Sequence, residues 1–397
     1  MNVTVTAETR RETERTFEID WWPNRIVFQD GAVDHLGAML AEIGRRRALI
    51  VCGKSVATSK SIQRVIAALS GSCAGMFAEI EMHAPLPVLE RGAQVARGIN
   101  ADCIVSVGGG SAIDSGKGIA LIDTVGPDYR SYSLAAAKRQ VPELRMAHIA
   151  IPTTTGSGSE VVPTCGLRDA EAAKKVIFRS TSLIPAIALL DPLMTLDTPA
   201  ELTAASGMTA VARCIEALYS GRRNPVYSGI ALHALRMLIR SLPRSIEAPH
   251  DVMARSQCLI ASAMSAISAN ANVSAVHAIG HVVGGRYGLQ HGIAHAILLA
   301  PSIRLLVPSI GALQNPLLEA LGCSASSMSE DEAGGAAAEI VAGFVDRLPL
   351  PTRLRDVGVQ QADIPMLAEH AAHDPIMLAA AAPIAADKIA DLLRAVW

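Results

Sequence analysis

Four histidines, His277, His281, His291 and His295, crowd the segment NVSAVHAIGHVVGGRYGLQHGIAHAILLAP. They form two pairs of i,i+4 spacing, so in helices the rings of a pair share one face about a turn apart. Imidazoles at that spacing suit two chemistries. A neutral ring nitrogen binds a transition metal, and a group that titrates near neutrality gives or takes a proton. His295 directly precedes an apolar run, and its competing reading is a structural or rim histidine.

A second chemistry is suggested by GGGSAIDSGKGIAL, residues 108–121. After a strand, Gly108, Gly109 and Gly110 let the backbone approach an anion. The amides of the following helix point at it, and Ser111 adds a hydroxyl donor. This is a pyrophosphate cradle, although neither GxGxxG nor GxxxxGK[ST] is present, and an ordinary tight turn is the alternative. Asp114 and Lys117 follow at i,i+3, as cofactor contacts or as an ion pair. The polar segment IPTTTGSGSEVVPTCGL, residues 151–167, offers Thr153, Thr154 and Ser157 as further donors in what reads as a flexible loop. Lys175 is a cofactor contact or, like Lys174, a solvated surface lysine. At the end of RALIVCGKS, where an acid would select a ribose 2′-hydroxyl, the chain has Gly53, Lys54 and Ser55, which leaves room and donors for NADP as well as NAD.

The elements that position these groups follow from periodicity. RALIVCG (47–53), GMFAEI (75–80) and CIVSVGGG (103–110) read as strands, and SIQRVIAALSG (61–71) and PVLERGAQVARGIN (87–100) as helices. Strands alternating with helices imply βαβ units and a parallel sheet. From about residue 191 long alanine-rich stretches such as AELTAASGMTAVARCIEALYS predict a helical bundle. The expected organisation is a tail over 1–16, an α/β dinucleotide-binding domain over 17–190 and an all-helical catalytic domain over 191–397.

Composition sets the limits. Of 397 residues 50% are hydrophobic and 18% charged, which suits a protein with a sizeable core, and 3% aromatic residues make that core aliphatic. A net charge of −2 gives no electrostatic reason to expect nucleic acid or a membrane surface as partner. Seven scattered cysteines without CxxC pairing read as buried thiols of a reducing compartment, and no signal peptide or membrane span is recognisable, so a cytoplasmic location is expected.

In order, GGGSAIDSGKG, PTTTGSGSE, DPLMTLDTPAELTAASGM and HAIGHVVGGRYGLQHGIAHAILLAP resemble the motifs of the iron-containing alcohol dehydrogenase family. The resemblance runs from about Ile26 to the C-terminus. It implies the dehydroquinate synthase-like fold of that family, an NAD(P)-dependent hydride transfer to or from a small carbonyl or alcohol, and a homodimer. GMFAEIEMHAPLPV, LPLPTRLRDVGV and the C-terminal DPIMLAAAAPIAADKIADLLRAVW are similar to the maleylacetate reductase branch.

The same resemblance locates the family's metal ligands: an aspartate and a histidine four apart on a helix, then two later histidines. The later pair falls on His277 and His291, the earlier on Thr209 and Arg213. A missing anionic ligand and a permanent cation make a metal improbable, and metal-independent catalysis is expected. Arg213 is then an electrostatic stabiliser or carboxylate clamp, with His281 or His277 as proton donor and an oxo acid such as maleylacetate as substrate. Three alternatives stand beside this: a site for zinc rebuilt from His277, His281 and His291; a lyase, isomerase or binding protein retaining a dinucleotide; and a plain Arg213–Glu216 ion pair at i,i+3.

Overall fold

The computed structural model describes residues 17, 19, 24–81, 84–136, 139–169, 174–271, 273–310, 313–324, 328–378 and 384–397. The chain divides after Thr198 into two compact units. The first is α/β. Its elements are β1 (Arg25–Phe28), α1 (Leu36–Glu42), β2 (Ala48–Gly53), α2 (Lys54–Ala57), α3 (Lys60–Leu69), β3 (Cys73–Ile80), α4 (Leu86–Gly98), β4 (Cys103–Gly108), α5 (Gly110–Val125), β5 (Ala147–Pro152), β6 (Thr164–Asp169), β7 (Lys174–Arg179) and β8 (Ile187–Leu190).

Six strands form one parallel sheet in the order β1-β8-β5-β4-β2-β3, with β6 and β7 a separate antiparallel ribbon. The central strands β2, β4 and β5 are almost wholly buried, as their continuous apolar runs require when helices cover both faces. From β2 the chain goes outward to β3 and then returns to β4 on the other side of β2. The crossover direction reverses at that point, which opens a crevice beyond the carboxyl ends of β2 and β4. The sheet ends at Leu190, but the unit continues to Thr198. Asp191 holds it there, accepting from the amides of Gly31, Val33 and Leu193 at 3.0, 3.2 and 3.0 Å.

The second unit is helical: α6 (Ala200–Tyr219), α7 (Pro225–Glu247), α8 (Val252–Ser268), α9 (Ala275–Tyr287), α10 (His291–Ile310), α11 (Gln314–Ala320), α12 (Glu330–Val345), α13 (Ile364–Ala372), α14 (Pro375–Leu378) and α15 (Ala386–Ala395). Local chemistry sets several starts. Asn224 caps α7 by accepting from the Tyr227 amide at 3.0 Å with Pro225 at the first position, and Asp251 caps α8 at the Ala254 amide at 3.0 Å. Helix α6 is central, with every residue from Ala210 to Ser220 buried. Its alanines permit close packing, and at Gly292 of α10 any Cβ would overlap the Ala205 carbonyl. Among the described residues no helix is long and apolar enough to cross a membrane.

Candidate active site

Both histidine pairs lie on helices. His277 and His281 occupy α9, while His291 opens α10 with His295 one turn on. The four rings close into a cluster: centroids are 6.3 Å apart for His277–His281, 4.2 Å for His277–His295, 5.1 Å for His281–His291 and 6.1 Å for His291–His295. His281 and His291 are partly exposed, whereas His277 is almost buried and His295 fully so. Among the described residues neither ring nitrogen of His295 has a hydrogen-bond partner. Burial drives its pKa well down, helped by the charges of His277, His281 and Arg213, so this ring stays neutral.

Arg213 reaches the cluster from α6. It is 8% exposed, donates through Nη1 to Ser265 Oγ on α8 at 3.4 Å, and its charge acts on His295. Thr209, one turn earlier, returns its hydroxyl to the Ala205 carbonyl at 3.5 Å. The group weighed as Arg213's ion-pair partner works elsewhere. Glu216 Oε1 accepts from the Ser274 amide and hydroxyl at 3.1 and 3.2 Å, and from the amides of Val276 and His277 at 2.8 and 3.2 Å. Its Oε2 holds His277 Nδ1. Burial pushes the Glu216 carboxyl up to about 7 against the pull of those amides. Sequence reasoning missed this residue as a site member. The available signal was its setting, because Arg213 and Glu216 are the sole charges between Ala204 and Tyr219 in an otherwise apolar buried helix. A carboxylate there requires several donors.

In the α/β unit the strand register aligns the loops expected to bind the dinucleotide. Cys52 lies opposite Val107 and Gly108 opposite Pro152, so Gly53–Ser55, Gly108–Ser111 and Thr153–Ser157 leave the carboxyl ends of three neighbouring strands. The Thr153 amide donates to the Gly108 carbonyl at 3.0 Å. Gly108 has φ +147°, and a Cβ at Gly109 or Gly110 would come within 3.1 Å of Thr154 Oγ1 or 2.7 Å of Ser157 Cβ. The glycines therefore bring the two loops together and let a ligand come close to the backbone at the start of α5.

The polar segment expected to be flexible is packed: Thr153, Thr154, Thr155, Ser159 and Glu160 are all buried. Asp114 and Lys117 explain why. Asp114 accepts from Ser159 Oγ and from the Gly166 amide at 3.1 Å, and Lys117 Nζ donates to the Val162 and Thr164 carbonyls, each at 2.8 Å. Rather than pairing with each other, they fasten the loop to α5 from both sides. Lys117 is completely buried, which lowers its pKa, with Asp114 the main opposing charge. Lys54 and Ser55 are exposed at the start of α2, and Lys175 stands on the exposed face of the β6–β7 ribbon with its stem over Gly166. Beneath α5, His148 of β5 meets Ser106 Oγ of β4 through Nε2 at 2.6 Å, and burial with the Lys117 charge lowers its pKa to about 3.

The likenesses to known proteins cover both units. The family described as iron-containing alcohol dehydrogenase matches residues 23–192, and the Fe-containing alcohol dehydrogenase C-terminal family matches 203–397. A 1,3-propanediol dehydrogenase of Citrobacter freundii is 31% identical over 363 residues, covering 89% of this chain and 92% of its own. Maleylacetate reductase 2 of Cupriavidus pinatubonensis is 32% identical over 326 residues, covering 82% and 81%. The crystal structure of a 1,3-propanediol oxidoreductase superposes with a TM-score of 0.90 at 29% identity, over 96% of this chain and 100% of that one. With a glycine cradle in one unit, a histidine cluster in the other and these matches along both, the chain belongs to the iron-containing alcohol dehydrogenase family, as an NAD(P)-dependent oxidoreductase near its maleylacetate reductase branch.

Proposed function

We propose that the protein reduces the carbonyl of a small oxo acid, with maleylacetate the first candidate, using NADPH or NADH and no metal. The reading is carried by Arg213: a nearly buried guanidinium stands beside the imidazoles, where the family resemblance implies a histidine ligand. Thr209 in place of the aspartate supplies no anionic ligand, and its hydroxyl points back along α6. Among the described residues no group of three or more His, Cys, Asp or Glu side chains is arranged to hold a metal ion. A donor set of neutral imidazoles with a fixed cation beside them does not fit divalent iron.

The dinucleotide does fit. Gly108, Gly109, Gly110 and Ser111 place glycine backbone, a helix N-terminus and a hydroxyl where a pyrophosphate can approach closely, with Thr153, Thr154 and Ser157 beside them. Bound there, NAD(P)H supplies the hydride. Gly53, Lys54 and Ser55 present no acid to a ribose 2′-phosphate and so admit NADP. In the helical unit, the Arg213 guanidinium pairs with the substrate carboxylate through two N–H groups, and His281 or His277 gives a proton to the oxygen that becomes an alkoxide. A second copy of the chain is the expected partner.

The test combines elemental analysis with coenzyme oxidation across 2- and 4-oxo acids, before and after treatment with a chelator. Turnover of an oxo acid by metal-depleted protein supports the proposal. Activity that disappears with a stoichiometric metal and returns with it overturns the metal-free part.

A further inference from the structure

We propose that Glu216 is the positioning carboxylate of this site, fixing both the place and the tautomer of His277. Its two oxygens have separate tasks. Oε1 accepts from the amides of Ser274, Val276 and His277 at 3.1, 2.8 and 3.2 Å, so α6 supplies the cap that the first turn of α9 lacks. Oε2 takes the ring of that same His277 at Nδ1. A residue that served only as a helix cap would need one oxygen. The second one sets the rotation of the imidazole, because the backbone anchor and the ring anchor are the same carboxylate.

Where Glu216 is ionised, its oxygen at Nδ1 keeps the proton of the neutral ring on that side, and Nε2, on the opposite edge, carries the lone pair. His277 thus presents one defined nitrogen to the cluster in which His295 lies at 4.2 Å and His281 at 6.3 Å between centroids. Glu216 is completely buried and Ser274 nearly so, which shields the pair from competing water. The catalytic value of this arrangement rests on the reading above, in which His277 works on a carbonyl substrate; the tautomer itself does not.

The experiment is ¹⁵N-histidine NMR with steady-state kinetics on wild type and Glu216→Gln. In the wild type, at a pH above 7 where Glu216 is ionised, His277 is expected with Nδ1 protonated and Nε2 unprotonated. The glutamine keeps a carbonyl oxygen for the α9 amides but turns an NH₂ toward Nδ1, so the ring must accept there and carry its proton on Nε2. The expected kinetic result is a kcat lower by on the order of 10²-fold or more, with KM for the oxo acid within about threefold, since Arg213 is untouched. An Nε2-protonated His277 in the wild type overturns the proposal without any variant having to fold. So does a folded Glu216→Gln protein with unchanged kcat. A wild type that turns over no oxo acid overturns the functional reading instead, and the NMR spectrum still decides the role of Glu216.

Discussion

Arg213 and Glu216 stand three residues apart on α6 and serve different helices: Arg213 donates to Ser265 on α8, while Glu216 takes His277 on α9. Spacing alone makes them a helical ion pair worth a few tenths of a kcal/mol. The structure instead gives Glu216 four donors from Ser274, Val276 and the His277 amide, and the His277 ring as a fifth contact. The carboxylate is committed to α9, so the charge of Arg213 acts on the histidine cluster without Glu216 as its i,i+3 partner.

That division predicts how Arg213 variants behave. Arg213→Ala removes the paired N–H donors and should raise KM for an oxo acid by about 10- to 100-fold, the range expected when a charged hydrogen-bonded contact is lost. Arg213→Lys keeps the charge without the fork and should fall between. An aldehyde of equal length lacking the carboxylate should respond little to either change. Unchanged KM values for the acid in Arg213→Ala would remove the carboxylate clamp.

The metal reading has a constructive test. Thr209→Asp with Arg213→His restores, at i,i+4 on α6, the carboxylate and imidazole that the family resemblance implies as ligands together with His277 and His291. The double variant should bind about one equivalent of a divalent metal by elemental analysis, whereas wild type should hold substoichiometric amounts after the same purification. Failure of the double variant to take up metal would mean that the histidine cluster is set by packing unsuited to any ion.

Coenzyme choice can be tested at Gly53. Its backbone is extended, at φ −84°, so a side chain is tolerated conformationally, although its Cβ would lie 3.3 Å from the Ile80 carbonyl and require a small shift. Gly53→Asp places a carboxylate beyond β2 where it repels a 2′-phosphate and accepts from a 2′-hydroxyl. The ratio of kcat/KM for NADPH over NADH should drop by about tenfold or more, since one like-charge contact of this kind is worth at least about 1.4 kcal/mol. An unchanged ratio would show that the ribose lies away from this loop.

How far the chain could be read depended on the distance over which each group acts. The two i,i+4 histidine pairs and the strand-to-glycine turn are local patterns, and they led to α9, α10 and the cradle. Thr153, Thr154 and Ser157 were found as donors, but their burial was not, because it depends on Asp114 and Lys117 reaching Ser159 and the backbone of residues 162–166. Glu216 enters the sequence reading only as an alternative partner for Arg213, because its ring partner lies 61 residues away. The β6–β7 ribbon escaped notice for a related reason. Arg168 opposite Lys175 and Asp169 opposite Lys174 is polar strand text whose pattern is clear only once the register is known.

His148 yields the last prediction, in stability. Its folded pKa of about 3 lies below the ordinary 6.5, chiefly through burial. The unfolded chain therefore binds a proton that the folded one refuses between those values, so the stabilising effect is complete above pH 6.5 and is lost as pH falls toward 3. From pH 7.5 to 5 the loss amounts to about 2 kcal/mol. Glu216 acts in the opposite sense in part of this window. Raised to about 7, its contribution is full below 4.5 and is lost as pH rises through 7, so the total pH slope of the wild type mixes the two. The difference between wild type and His148→Asn isolates one of them, because asparagine can still meet Ser106 and does not titrate. Urea unfolding at pH 7.5 and 5 should show the variant losing less stability on acidification than wild type. Equal losses in both proteins would mean that the His148 ring is already reached by solvent protons in the folded state.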